Sequence, residues 1–368
     1  MSKQNYQLQR RGFHLGYIAC ADGTEELSAN EKTLAWEQGT PIVLRNRCQQ
    51  QLHQNSQYIQ QAETLYLAVL EGTDIDGLLA KPPYIKRLNQ FDSLGSSINE
   101  GDAQEIETIV FDAIDANQIL AEDLWMKISW LSFYEKDASL RFRFSFGADL
   151  VEDVAADATR QHYAAQLTDA IFPESKLITY NQELVQEIQT ILNATTIHFV
   201  ERIVYFNAPD GGAYLHHDRE RGHAGVVYAQ VTGKTAWLAL PKNELIKEIS
   251  EYTTEKKTSQ TWPASIDSNM QNTLIDYCCD LQILSDQLES FSDECLISLI
   301  NETEEFIQRL IHKGHAHILC AGDVILLPQE SETQCCWHSV FNLGEQTGQA
   351  LSFAIRTNMD TELAEARG

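Results

Sequence analysis

The spacing of apolar residues changes part-way along the chain. Between residues 24 and 195 they recur mostly at helical intervals. Tyr58, Ile59, Ala62, Leu65, Tyr66 and Val69 form one stripe ending at Gly72, and Leu184, Val185, Ile188, Ile191 and Leu192 form another. Ile106, Ile109, Val110, Ala113 and Ile114 fit the same interval and predict a further helix. Ser28 and Glu31 make a capping box ahead of Leu34 and Trp36. Residues 139–147, SLRFRFSFG, break the rule by alternating strictly. Leu140, Phe142, Phe144 and Phe146 share one face, with Arg141, Arg143 and Ser145 on the other, which predicts a strand. The arginine face reads as solvated sheet, with an anion-holding cleft as the alternative.

From residue 196 the period shortens to two. Strands are predicted over 196–208, 225–231, 235–240, 315–320, 324–328, 337–341 and 349–357, punctuated by PDGG at 209–212, Thr232-Gly233, Pro241 and Gly322. Helical spacing returns between them, through Leu245, Ile249, Leu284, Leu288, Leu299 and Leu310. Short strands punctuated in this way predict a barrel or sandwich. The expected architecture is α+β. A mainly helical N-terminal region, 1–195, packs on a β core, 196–368, that carries a helical insert at 242–312. The insert reads as a lid or as the surface of a homodimer.

The length of 368 residues suits two modest domains or one decorated domain, and 43% apolar residues can fill its core. A net charge of −26 argues against a nucleic-acid partner, which needs clustered Lys and Arg. No apolar run approaches the ~18 residues of a membrane span, so no membrane partner is expected. The N-terminus lacks the apolar core of a signal peptide. Eight cysteines include no C-x-x-C pair. That usage predicts a reduced, cytoplasmic chain rather than a disulfide framework.

The candidate chemistry lies in GGAYLHHDRERGH, residues 211–223. In an extended strand, residues two apart face the same way. His216 and Asp218 therefore face together, while His217 pairs in direction with Arg219. One imidazole and one carboxylate so placed can grip a metal, and a third ligand from a distant strand would complete a facial triad with open positions. His315 and His317 also alternate, but no acid accompanies them in a matching motif.

His216-x-Asp218, followed by VVYAQVTGKTAWLALP and later by GDVILLP and WHSV, resembles the Fe(II)/2-oxoglutarate-dependent dioxygenases of the JmjC and cupin-like type. The resemblance covers roughly residues 196–241 and 315–357. It implies a double-stranded β-helix, or cupin-like jelly roll, and names His338 as the distal metal ligand. It also implies Fe(II), 2-oxoglutarate and O2 as cofactor and cosubstrates, with release of succinate and CO2. Some members anchor the far carboxylate of 2-oxoglutarate with a lysine where this chain has Thr235, which leaves at most a hydroxyl contact. Other members use an arginine on the last strand, and Arg356 fits that place. Tyr205 and Asn207 share a strand face and are expected to touch 2-oxoglutarate or substrate. Arg202, Arg219, Arg221 and His223 are candidates for substrate contact. Related halogenases replace the acidic ligand, so Asp218 implies hydroxylation. The expected substrate is a small molecule, an amino acid or a natural-product intermediate. The alternatives are a JmjC-like protein or peptide hydroxylase and a cupin metalloprotein that is not an oxygenase.

Overall fold

The computed structural model describes residues 5–19, 26–116, 118–131, 137–147, 157–220, 222–290 and 292–357. Among them the strands are β1 (Asn5–Arg10), β2 (Phe13–Ala19), β3 (Ile42–Leu44), β4 (Phe91–Ser97), β5 (Glu105–Asp115), β6 (Gln118–Trp130), β7 (Leu140–Phe146), β8 (His198–Asn207), β9 (Gly212–His216), β10 (Gly225–Gln230), β11 (Lys234–Pro241), β12 (Ala316–Cys320), β13 (Val324–Pro328), β14 (Cys336–Asn342) and β15 (Gly348–Arg356). β1 and β2 form a hairpin. A nine-stranded sheet runs β3-β13-β10-β15-β8-β7-β6-β5-β4, and a four-stranded sheet runs β12-β11-β14-β9. From β8 onward the chain passes repeatedly between the two sheets, so sequence neighbours often face each other rather than pair.

Burial follows from that winding. Val226, Tyr228, Trp237, Ala239, Ile325, Leu327, Val340 and Ala350 come from both sheets and pack as one cluster between them. The outer face of the large sheet, with Phe142, Phe144, Phe353 and Ile355, packs on the N-terminal helices through Leu65, Leu167, Leu184 and Ile188. The outer face of the small sheet, with Ala236, Leu238, Leu240 and Phe341, packs on helices at Lys242–Ser259, Ser268–Cys279, Leu281–Ser290, Glu294–Glu302 and Glu304–His312. Each sheet thus has one face against the other sheet and one against helices, and most of its residues are buried.

The capping box at Ser28 and Glu31 is formed, and Ser56–Leu70 and Gln182–Ile191 are helices as their spacing predicted. Residues 106–114 are not helical. They lie in β5, where Ile109, Phe111 and Ala113 are buried at period two while Val110 and Ile114 are half-buried on the other face. A strand that is apolar on both faces places residues at i, i+3 and i+4 and so mimics a helical stripe. The N-terminal region is therefore less helical than expected. Its strands β4–β7 extend the large sheet beyond β8 instead of forming a separate layer.

Gly212 opens β9 at φ +134, and a Cβ there would collide with the carbonyl of Val340. Only glycine lets β9 approach β14 this closely. Among the described residues no helix is long and apolar enough to cross a membrane.

Candidate metal centre

β9 and β14 are neighbours in the small sheet, and His216 and His338 are register partners in that pair. Their ring centroids stand 4.4 Å apart. β9 ends at His216, and Asp218 follows in the irregular link, yet its carboxylate turns back to both rings. Asp218 Oδ1 lies 3.4 Å from His216 Nε2, and Oδ2 lies 3.4 Å from His338 Nε2. The ligand atoms of all three side chains fall within 4.8 Å of one another. Donors gripping one ion at right angles stand about 3 Å apart, so a small closing motion suffices for a facial triad.

The rings are aimed by their other nitrogens. His216 Nδ1 lies 2.6 Å from the Tyr214 carbonyl, and His338 Nδ1 lies 3.4 Å from that of Cys336. An Nδ1–H donated to a backbone carbonyl leaves Nε2 as a lone-pair donor facing the metal position. Trp237 stacks on His338 at 5.4 Å and fixes its plane. Burial alone would raise the Asp218 carboxyl, but the charges and hydrogen bonds of His338 and His216 hold it well below the usual range. Burial also lowers His338, with His216 adding to the effect. An ionised carboxylate beside two imidazole donors is a set suited to Fe(II).

His217 points away, as alternation required. Its Nε2 is 3.1 Å from Glu289, and its ring meets Trp337 edge-on at 5.0 Å. Glu289 also pairs with Arg219 at 3.2 Å and Lys242 at 2.7 Å, which ties the motif to the helical insert. β9 is an edge strand, and its free edge is satisfied from outside. Leu215 N–H donates to Asn301 Oδ1 at 2.7 Å, and Arg10 Nη1 donates to the Ala213 carbonyl at 2.6 Å. Arg10, Glu289 and Asn301 were not singled out in the sequence, because no local pattern marks a residue that reaches β9 from 72 to more than 200 positions away.

A cavity of about 670 Å³ opens beside the triad. Tyr205, Asn207 and His223 line it, and so do Arg141, Arg143, Glu201, Glu220, Tyr228 and Ser352. Glu201, Glu220 and His223 cluster at one side. Burial and then the neighbouring charge of Glu201 push the Glu220 carboxyl up to about 7. The alternation of β7 thus turns its arginines toward a cleft rather than toward solvent.

Four expected contacts are placed elsewhere. Arg202 faces the opposite side of β8, where Nη1 donates to Asp169 at 2.7 Å and to the Ala165 carbonyl at 3.1 Å. It alternates with Tyr205 and Asn207, so it cannot share their face. Arg219 is held outward by Glu289. Thr235 is fully buried, accepts from Trp237 Nε1 at 3.0 Å and donates to Gln230 Oε1 at 2.7 Å, and does not line the cavity. Arg356 shares the face of Ser352 and Ala354 but lies beyond the lined part of β15, close to Gly222. Arg221 lies outside the described residues.

No protein-family model matches the chain, and no curated protein matches it. Structures of YcfD, a ribosomal oxygenase from Escherichia coli, are similar to it at 11% and 12% identity with TM-scores of 0.30 and 0.31. They cover 92% and 93% of this chain, which spans 54% and 56% of theirs, about half their length. A YcfD structure in complex with cobalt and succinic acid is similar to the same degree. An oxidoreductase of the 2OG-Fe(II) oxygenase family from Burkholderia pseudomallei is similar at 7% identity and TM-score 0.31, over 93% of this chain and 94% of that one. The sequence resemblance points to iron, 2-oxoglutarate and O2, and the donor set fits the iron. The name of YcfD, a ribosomal oxygenase, stands against the small-molecule partner expected from the sequence.

Proposed function

We propose that the chain is an Fe(II)/2-oxoglutarate-dependent oxygenase that hydroxylates a side chain of a polypeptide. The observation that carries the reading is the convergence of His216, Asp218 and His338 on the wall of the large cavity. In this reading residues 196–368 are the double-stranded β-helix core, 242–312 its helical insert and 1–195 the flanking region. A cavity of about 670 Å³ falls in the range of small-ligand sites and has room for a cosubstrate and an incoming side chain together.

Bound iron, with 2-oxoglutarate and O2, would supply the oxidising chemistry and release succinate and CO2. The chain's own residues prepare the site. His216, Asp218 and His338 would hold the metal at the wall of the cavity. The retained carboxylate of Asp218 favours hydroxylation, because no small residue makes room for a halide. Tyr205 and Asn207 offer a hydroxyl and an amide to the cosubstrate. Trp237, Val340, Ile203 and Ala354 line the same space and exclude water. The seven described cysteines are free thiols, which suits a reducing compartment such as the cytoplasm.

The test is reconstitution with Fe(II) without oxygen, addition of 2-oxoglutarate, then admission of O2 with a succinate assay. Turnover to succinate is expected, stimulated by a polypeptide fraction that gains oxygen by mass spectrometry. Absence of succinate under these conditions contradicts the oxygenase reading, and stimulation by metabolites alone contradicts the polypeptide one.

A further inference from the structure

A 2-oxo diacid that chelates iron through its 1-carboxylate and keto oxygen sends its other carboxylate several ångströms into the cavity. A carboxylate removed from water needs a cation or several donors there. The positions that family resemblance offers do not face that space. Thr235 is sealed between Gln230 and Trp237. Lys234 turns outward to the Tyr6 hydroxyl at 2.9 Å. Arg356 lies beyond the cavity's lined wall.

Three arginines do line the cavity: Arg11, Arg141 and Arg143. Arg143 pairs with Glu201 at 3.2 Å, and Arg11 pairs with Asp137 at 3.4 Å. Arg141 differs. Its Nε donates to Ser129 Oγ at 2.8 Å and its Nη2 to Gln104 Oε1 at 3.0 Å, both neutral acceptors. Asp102, the nearby acid, is taken by Lys127 at 2.9 Å. Ser129 and Gln104 orient the guanidinium, and among the described residues no carboxylate pairs with it directly. Arg141 is also the register partner of Tyr205. Tyr205 lines the same cavity as Asp218 and Arg141, and its phenol, pushed up to about 12 first by burial, feels the charges of Asp218, Arg141 and Arg143. Asn207 and Tyr228 lie close by as neutral donors.

We propose that Arg141, on a strand upstream of the metal motif, holds the distal carboxylate of 2-oxoglutarate. This inference rests on the oxygenase reading. It assigns the anchoring cation to the flanking part of the large sheet, where the planar fork of an arginine can meet a carboxylate with two parallel hydrogen bonds.

The test measures binding, not turnover. Fe(II)-loaded protein is titrated without oxygen with 2-oxoglutarate and with 2-oxobutyrate, which lacks the distal carboxylate, and the charge-transfer absorption is followed. Arg141→Ala should weaken 2-oxoglutarate roughly 10- to 100-fold, leave 2-oxobutyrate within about twofold, and leave iron stoichiometry unchanged. Arg141→Lys should recover part of the loss. Equal weakening of both ligands, or none of either, overturns the anchor. If the wild-type protein binds iron but neither 2-oxo acid, the oxygenase reading fails with it. If wild-type affinity is normal and only Arg356→Ala lowers it, the anchor is on β15 and the inference alone is overturned.

Discussion

The two walls of the cavity are built differently. On the small sheet, β9 and β14 bring three metal donors together from two short segments, and each ring is aimed by a carbonyl two residues earlier, Tyr214 for His216 and Cys336 for His338. On the large sheet, β7 and β8 supply Arg141, Arg143, Glu201 and Tyr205, whose partners come from as far as Gln104. The metal wall is fixed by local backbone and tolerates little change. The charged wall is a set of side-chain pairs. In the proposed reading the first wall would hold the iron and the second would meet what binds beside it.

That contrast predicts an order of effects. Loss of a metal donor should be the most severe, so His338→Ala is expected to abolish iron binding while the protein still folds, as read by metal analysis and circular dichroism. Retention of one iron per chain would mean that the ligand set is wrong. The brace on β9 comes next. Asn301→Ala strips the buried Leu215 N–H of its acceptor and removes a partner of Arg10. It should cost about 1–3 kcal/mol in urea denaturation and weaken iron binding by about 10-fold or more, as supporting hydrogen bonds around metal ligands do. If stability falls while iron affinity holds, the brace serves the fold and not the metal.

Charge on the second wall should matter less to the metal. Glu201→Gln removes the carboxylate facing Arg143 and should change iron affinity by under about threefold, while its effect on turnover with a polypeptide is larger. Equal losses in both would join the two walls into one unit. A last effect, on stability and not on the site, belongs to a residue of neither wall. Glu174 is fully buried, and burial pushes its carboxyl up to about 8. The folded chain keeps a proton that the unfolded chain releases near 4.5. The stability it lends is complete below that pH, declines as pH rises, and is lost above about 8, a change of a few kcal/mol. Glu174→Gln should flatten this slope between pH 5 and 9 in thermal melts, and an unchanged slope would refute it.

The shared direction of His216 and Asp218 was legible in the sequence because it is local, whereas His338, on a strand more than a hundred residues further on, was named by resemblance. Alternation alone separates His216 from His217, and the Gly- and Pro-bounded strands from β8 to β15 carry their own punctuation. The charged wall was half legible. The alternation of SLRFRFSFG shows that Arg141 and Arg143 share a face, but nothing in it says that the face meets a cavity, because that depends on β8 pairing with β7 across more than fifty residues. The same alternation rule, applied along β8, places Arg202 opposite Tyr205 and removes it from the site. β5 was misread because both of its faces carry apolar residues. Arg356 shares the parity of Ser352 and Ala354, but on β15 the cavity lining reaches only to Ala354.

The most direct measurement compares His216→Ala with His217→Ala in an anaerobic Fe(II) titration, with 2-oxoglutarate present and charge-transfer absorption as the readout. Neighbouring histidines with opposite directions should behave oppositely. No absorption is expected from His216→Ala, and near-normal absorption at one iron per chain from His217→Ala. Equal loss in both variants, or loss only in His217→Ala, would contradict this.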